Sequence, residues 1–304
     1  MDSNNLKKYM VIDVGGTAIK YALMDESYQF IEKGEVPTPQ DTLDNYLNTL
    51  VTLIEHYKDE ISGVACSMPG QIDAGNGYLF SGGYLDKYIH EFPIASVLQE
   101  KVGFSVTVEN DAKCAGLAEV AKGSLKGCKD AVVIVLGTGI GGCLIKDGKV
   151  HGGNKFSAGE VSFLLVNDDL ENDDCMWAFQ GGTPRLIKDV AAAIGVSEET
   201  LDGRKAFAMA NEGNETVLQV MRSHFRKLAI QIYNLQVIYD PEKIAIGGGI
   251  SRQPLVLSMI QEGLNEIYEK RPLTVYPVNL VACEFRSDAN LIGALHYHLE
   301  KNRD

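Results

Sequence analysis

The chain has 304 residues, 45% hydrophobic and 23% charged. That length suits about two domains, and the composition excludes a disordered chain or a disulfide-stapled miniprotein. Its 28 basic and 41 acidic side chains leave a formal charge of −13, so a polyanion is repelled and sequence-independent nucleic-acid binding is disfavoured. Six scattered cysteines, Cys66, Cys114, Cys128, Cys143, Cys175 and Cys283, include no C-x-x-C pair and read as reduced thiols of a cytoplasmic protein. The polar start Met-Asp-Ser-Asn-Asn and the lack of any apolar run of about 18 residues argue against a signal peptide and a membrane span.

In chain order, three short strands are predicted at Tyr9–Val14, Ile19–Met24 and Tyr28–Lys33, separated by Gly15-Gly16 and by Asp25-Glu26-Ser27, the pattern of a β-meander. Apolar residues at 43, 46, 47, 50, 51, 54 and 57 then take helical spacing, with Asp41 as the expected N-cap. Strands follow at Ile61–Cys66 and Phe104–Val108, with a loop rich in Gly, Asp and Tyr expected between them. A short helix run, Ala112–Ala118, comes after the second of these strands.

At Ala131 the opening arrangement returns. Strand Ala131–Leu136, the turn Gly137-Thr138-Gly139, strand Ile140–Ile145, the hairpin turn Asp147-Gly148 and Lys149-Val150 repeat the meander, at a spacing that suits two related domains rather than a solenoid. Helices are predicted over Val217–Val237 and near Leu255–Glu269, and strand Lys243–Ile246 runs into Gly247-Gly248-Gly249.

Three glycine clusters therefore follow three predicted strands. Without a Cβ, such a turn bends sharply and offers several N–H groups to a phosphate. The first cluster adds Asp13, an oxygen donor for Mg²⁺, and a nearby cation, Lys20. Gly137, Gly139 and Gly142 match G-x-G-x-x-G literally, but a dinucleotide fingerprint opens a helix and a strand follows here. A Walker A sequence is absent. There remains a duplicated β-meander fold that holds a nucleotide with its hairpin turns.

Asp13-Val14-Gly15-Gly16-Thr17-Ala18-Ile19-Lys20, Glu109-Asn110-Asp111-Ala112, Leu136 to Gly142, Ala158-Gly159-Glu160 and Ile246 to Gly249 together resemble the ROK family of sugar kinases and repressors. The resemblance spans nearly the whole chain in the right order. It implies an α/β, actin-like ATPase (ribonuclease H-like) fold with ATP in a cleft between duplicated domains. The smaller would be residues 1–115 with a C-terminal helix at 287–304, and the larger residues 116–286.

By the same resemblance Asp111 is the general base that takes the sugar hydroxyl proton, although an Asp at a strand-to-helix junction is otherwise an ordinary N-cap. Asn110 and Glu160 would bind the sugar, with Gly70, Gly82 and Gly83 lining its pocket. Asp13 would orient Mg²⁺ through water. Gly15, Gly16, Thr17, Lys20, Gly137, Thr138 and Gly139 would surround the phosphates, and Gly247 and Gly248 would approach the adenosine.

Many members continue Ala-Gly-Glu with a His and a cysteine-rich loop that hold a structural zinc. Here Val161-Ser162-Phe163 follows, and residues 168–180 contain only Cys175. The resemblance thus implies ATP and Mg²⁺ without zinc. Together with Gly82-Gly83, Gly249-Ile250-Ser251-Arg252 and Asp288 to Ala294, this is most similar to the zinc-free β-glucoside kinases, which phosphorylate the 6-hydroxyl of cellobiose and related glucosides. The alternatives are a glucokinase, another hexose or N-acetylhexosamine kinase, and a non-catalytic sugar sensor. A family repressor carries a winged helix ahead of the first phosphate motif, which begins here at Asp13, so no nucleic-acid or membrane partner is expected. A homodimer is an analogy to the family.

Overall fold

A computed structural model describes residues 6–272, 276–285 and 287–303; the polar N-terminal pentapeptide lies outside them. The chain opens with β1 (Lys8–Val14), β2 (Ala18–Asp25) and β3 (Phe30–Pro37). The third strand starts two residues later than expected from the sequence. Asp25 Oδ1 accepts hydrogen bonds from the N–H groups of Ser27 (2.8 Å) and Gln29 (3.0 Å), and Tyr28 takes φ 73°, so these residues form a turn. Helix α1 (Leu43–His56) is capped by Thr42, whose hydroxyl accepts from Asn45 N at 3.2 Å. The expected cap, Asp41, instead binds the Asn45 side-chain amide. The cap oxygen must reach the amide three residues on, and Thr42 is the residue placed to do so.

After β4 (Val64–Met68) the expected loop is corrected to β5 (Gln71–Asp73), β6 (Tyr78–Ser81), β7 (His90–Phe92) and α2 (Ile94–Val102). Strands of three or four residues are too short for alternation to reveal. Then come β8 (Val106–Asn110), α3 (Asp111–Lys122), β9 (Ala131–Leu136), β10 (Ile140–Lys146) and β11 (Lys149–Val150). The remainder is α4 (Trp177–Gly181), α5 (Thr183–Ile194), α6 (Gly203–Asn211), α7 (Glu215–Tyr239), β12 (Lys243–Gly248), α8 (Pro254–Lys270), β13 (Leu280–Ala282) and α9 (Ala289–Lys301). No described helix is long and apolar enough to cross a membrane.

The chain divides into two compact units. The first comprises Met1–Lys122, Gly152–Ala158 and Asp288–Asp304, and the second Gly123–His151 and Gly159–Ser287. In the first, the main sheet has the order β3-β2-β1-β4-β8, with β5-β6-β7 as a small antiparallel sheet. In the second, the order is β11-β10-β9-β12-β13. Both begin with an antiparallel meander and add two parallel strands on its inner edge. The repeat in the sequence is a repeat of topology.

Each unit has its own core. In the first, Met10, Ile12 and Val14 of β1 pack with Tyr46, Leu50 and Ile54 of α1. Because side chains alternate along a strand, Asp13 faces away from this cluster, and it meets Asn290 of α9. Helix α9 lies close against α3 because Gly293 has no side chain: a Cβ there would sit 1.7 Å from Cys114 O. In the second unit Val132 and Ile134 of β9 pack with Met221, Phe225 and Leu228 of α7. The cap of α7 is Asn214, which accepts from Val217 N at 3.2 Å.

Candidate active site

In the first unit, Asp13 near the end of β1 is buried, and its Oδ1 accepts from Ser67 Oγ and Asn290 Nδ2, both at 2.9 Å. Burial pushes its carboxyl above the usual range, against the opposing pull of these two hydrogen bonds and of Lys20. Lys20 is its register partner on β2. Since both bonds go to Oδ1, Oδ2 is the oxygen with capacity for a hard cation. A buried carboxylate whose charge is poorly solvated gains most from such a neighbour. Mg²⁺ needs only one or two carboxylates beside waters and phosphate oxygens, so the donor set fits it. Among the described residues, no three His, Cys, Asp or Glu side chains gather into a metal-binding group.

Two strands away, β8 ends at Asn110 and α3 begins at Asp111. Asn110 Oδ1 accepts from Lys113 N at 3.1 Å, which makes Asn110 the N-cap of α3 and corrects the N-cap alternative for Asp111. Asn110 is held in turn by its amide, which donates to Gly70 O at 3.0 Å, and by its N–H, which donates to Glu109 Oε1 at 2.7 Å. Asp111 is half-buried at the first helical position, where the helix dipole favours an anion, and its Oδ1 accepts from Ala112 N at 2.8 Å.

Gly70, Gly82 and Gly83 come together for a backbone reason. Gly70 stands at φ 98°, where a Cβ would lie 1.9 Å from Ser81 O and 2.9 Å from Gly83 N. Gly82 N donates to Asp86 Oδ1 at 3.0 Å, and Gly83 N to Ser81 Oγ at 3.1 Å. The turn Gly15-Gly16-Thr17 is fastened at its carbonyls, with Thr38 Oγ1 donating to Gly15 O and Gln40 Nε2 to Gly16 O, each at 2.6 Å. Gly15 N donates to Ala18 O at 2.9 Å. Among the described hydrogen bonds, the donors left for a phosphate are therefore the N–H groups of Gly16 and Thr17, not that of Gly15.

The second unit repeats this turn. Gly137 N donates to Gly139 O at 3.0 Å, and Gly137 O accepts from Thr183 N at 2.9 Å in the first turn of α5. The packing of the glycines differs in a way the sequence did not reveal. A Cβ on Gly248 (φ 93°) would lie 2.1 Å from Leu136 O, so the fold itself requires a glycine there, whereas one on Gly247 would sit 3.1 Å from Cys283 Sγ, a tight contact that a small shift of the thiol relieves. A Cβ on Gly137 or Gly139 would meet nothing nearer than 3.9 Å, and one on Gly249 nothing within 4 Å. These three are small for no reason internal to the described fold, as expected where a ligand approaches the backbone. Glu160 also belongs to the second unit, at the head of the 3₁₀ turn Val161–Phe163, and its Oε1 atom is buried with no hydrogen bond made to it.

The sequence reading missed the residues that hold Asp13, Ser67 and Asn290, and the bond by which Gly70 O holds the Asn110 amide. Asn290 stood in a motif noticed only for its resemblance. Ser67 gave no signal, because its register with Asp13 is set by two strands 54 residues apart.

The ROK family model matches residues 9–301. A β-glucoside kinase of Klebsiella pneumoniae is 28% identical over 95% of each chain. A glucokinase of Halalkalibacterium halodurans is 28% identical over 80% of this chain and 81% of its own. A solved ROK family protein from Streptococcus pneumoniae, in complex with sucrose, superposes with a TM-score of 0.84 at 29% identity, covering 97% of this chain and 98% of the other. The chain therefore belongs to the ROK family, and its two sheets of one strand order are the duplicated halves of the actin-like ATPase fold.

Proposed function

We propose that the protein is an ATP-dependent carbohydrate kinase that transfers the γ-phosphoryl group to the 6-hydroxyl of a β-glucoside such as cellobiose. The observation that carries the kinase reading is the division of labour at the start of α3. Asn110 caps the helix, which supports reading Asp111, the first residue of α3, as the carboxylate that meets an acceptor hydroxyl. Asp111 takes the hydroxyl proton as the oxygen bonds to phosphorus and the bond to the ADP oxygen breaks. Asn110 and Glu160 bind and orient the sugar. Gly16, Thr17, Thr138 and Gly139 offer N–H groups to the phosphates, and Gly247 to Gly249 adjoin the adenosine. Asp13 holds Mg²⁺ or its water, and the ion supplies charge neutralisation on the phosphate oxygens when bound.

The glucoside specificity is supported by the continuation of Glu160 into Val161-Ser162-Phe163 and by the 28% identity to a β-glucoside kinase. The sucrose held by a ROK relative is itself a two-ring sugar. Glucokinase is the second reading, favoured by a relative of equal identity. An ADP-release assay over glucose, N-acetylhexosamines, cellobiose and aryl β-glucosides separates them. The proposal expects the highest kcat/KM with a β-glucoside and loses its specificity if free glucose is strongly preferred. Absence of ADP release with every sugar would leave a sugar sensor.

A further inference from the structure

Residues 152–158 interrupt the second unit in sequence but pack with the first. They are fastened there at two successive carbonyls. Gln71 Nε2 donates to Lys155 O, and Lys113 Nζ, 2% exposed as a residue, donates to Phe156 O at 2.8 Å. Both donors adjoin the sugar-side residues of this unit: Gln71 follows Gly70, and Lys113 is the third residue of the helix that Asp111 opens.

Between these fastenings Phe156 takes φ 60°, a left-handed conformation that Gly or Asn adopts far more readily than an aromatic residue. The backbone thus disfavours the side chain that occupies it. Its ring stacks on Phe80, with centroids 5.8 Å apart and planes 20° apart, and Tyr78 meets Phe80 edge-on at 5.1 Å. A pair serving only to fill a core would be covered, yet Phe80 is 37% exposed. Phe80 precedes Ser81, whose carbonyl faces Gly70, and Gly70 O holds Asn110. An aromatic surface, open to solvent and held rigid at its edge, is thereby tied to the residues that contact the acceptor sugar.

Resting on the sugar-kinase reading of that site, we infer that Phe80 and Phe156 form a platform for the second ring of a β-glucoside, a sugar or aryl aglycone. The C–H edges of a pyranose carry partial positive charge and pack on the electron-rich face of an aromatic ring, and an aryl aglycone stacks on it directly. Lys113 and Gln71 act as positioning residues, because their bonds hold the strap that carries Phe156.

The test is calorimetric titration of the full chain with glucose, cellobiose and phenyl β-glucoside, for the native protein, Phe80→Ala, Phe80→Leu and Phe80→Tyr. Phenyl β-glucoside should bind the native protein about ten-fold or more tightly than glucose. Phe80→Ala and Phe80→Leu should shrink that ratio toward one, and Phe80→Tyr should retain it. Equal affinity for glucose and glucoside in the native protein overturns the platform. So does a ratio that survives both non-aromatic variants, or an equal loss for both ligands. Phe80→Leu keeps the bulk of the side chain, so the ratio can be read even if Phe80→Ala does not fold. ADP release with the same sugars judges the kinase reading separately. A chain that shows the binding ratio without releasing ADP keeps the platform and loses the kinase; one that releases ADP with an unaltered ratio in the variants does the reverse.

Discussion

The two sheets have one strand order but opposite chemistry along the row of residues at the ends of their central strands. In the first unit that row, read across the register, is Lys20, Asp13, Ser67 and Glu109. In the second the corresponding row begins Gly141, Val135 and Gly247, and the residue after β13 is Cys283, whose N–H donates to Ile246 O. One copy places charged and hydroxyl side chains where the other places two glycines, a valine and a cysteine. A duplicated scaffold of this kind leaves strand order to the core residues, and the row at the strand ends is then available to differ: a polar row suits proton and cation chemistry, and an uncharged row with glycines suits close approach of a large ligand to the backbone.

The largest effect should come from the polar side of this contrast. Asp111→Asn is isosteric and leaves the Asn110 cap in place, so the melting temperature should stay within about 2 °C while kcat falls by roughly 10²–10⁴-fold, the usual contribution of a general base. Steady-state ADP release and a thermal melt on one preparation check both halves. Near-normal turnover would remove Asp111 from the chemistry.

Next in size is a feature the two units share. His298 in the first unit and His224 in the second are 2% and 5% exposed, and burial holds each imidazole down to about 4. Lys301 adds to the effect on His298, whereas Asp189 and the Gly181 carbonyl partly oppose it at His224. His298 also lies 2.9 Å from Thr107 Oγ1. In the unfolded chain each titrates near 6.5, so between that value and about 4 the unfolded state binds more protons. Stability is present above pH 6.5 and is lost as the pH falls toward 4, by about 3 kcal/mol for each histidine. Thermal melts from pH 7 to 4.5 should show this slope, and Gln at either position should remove about half of it. A slope unchanged in both variants would place its origin elsewhere.

Asp13 titrates in the opposite sense. Its folded value lies above its unfolded one, so the folded state binds the extra proton, and ionisation of this group subtracts from stability as the pH rises. Asp13→Asn retains an acceptor for Ser67 and Asn290. At neutral pH it should melt no lower than the native protein, while activity falls about 10-fold or more and the Mg²⁺ requirement rises. A variant both unstable and active would mean that the carboxylate serves the fold instead.

These contrasts were unequally legible in the sequence. The meander and its return were readable because Gly turns punctuate strands whose apolar runs are long enough to show, and β9 and β11 fall where predicted. Asp13, Asn110 and Asp111 were readable as polar groups at strand ends. The sheet β5-β6-β7 was not, since its strands carry too few residues for a period to emerge. Nor was the strap at Phe156: it depends on a buried Lys113 and on a backbone conformation that runs against the preference of its own residue.

The smallest expected effects divide the glycines of the second unit. Gly248→Ala forces a Cβ to 2.1 Å from Leu136 O at a φ of 93° and should destabilise by roughly 1–3 kcal/mol. Gly139→Ala has no neighbour closer than 3.9 Å, and its backbone does not lie in the left-handed region. Loss of unfolded-state freedom should make that variant neutral or up to about 1 kcal/mol more stable. If Gly139 is small for the sake of a phosphate, the same added methyl group should raise the KM for ATP, by about ten-fold for a lost interaction of roughly 1.4 kcal/mol, and leave the KM for sugar nearly unchanged. A Gly139→Ala protein with native KM for ATP would mean that the turn is open without being occupied, and the space around Gly137 and Gly139 would then need another explanation.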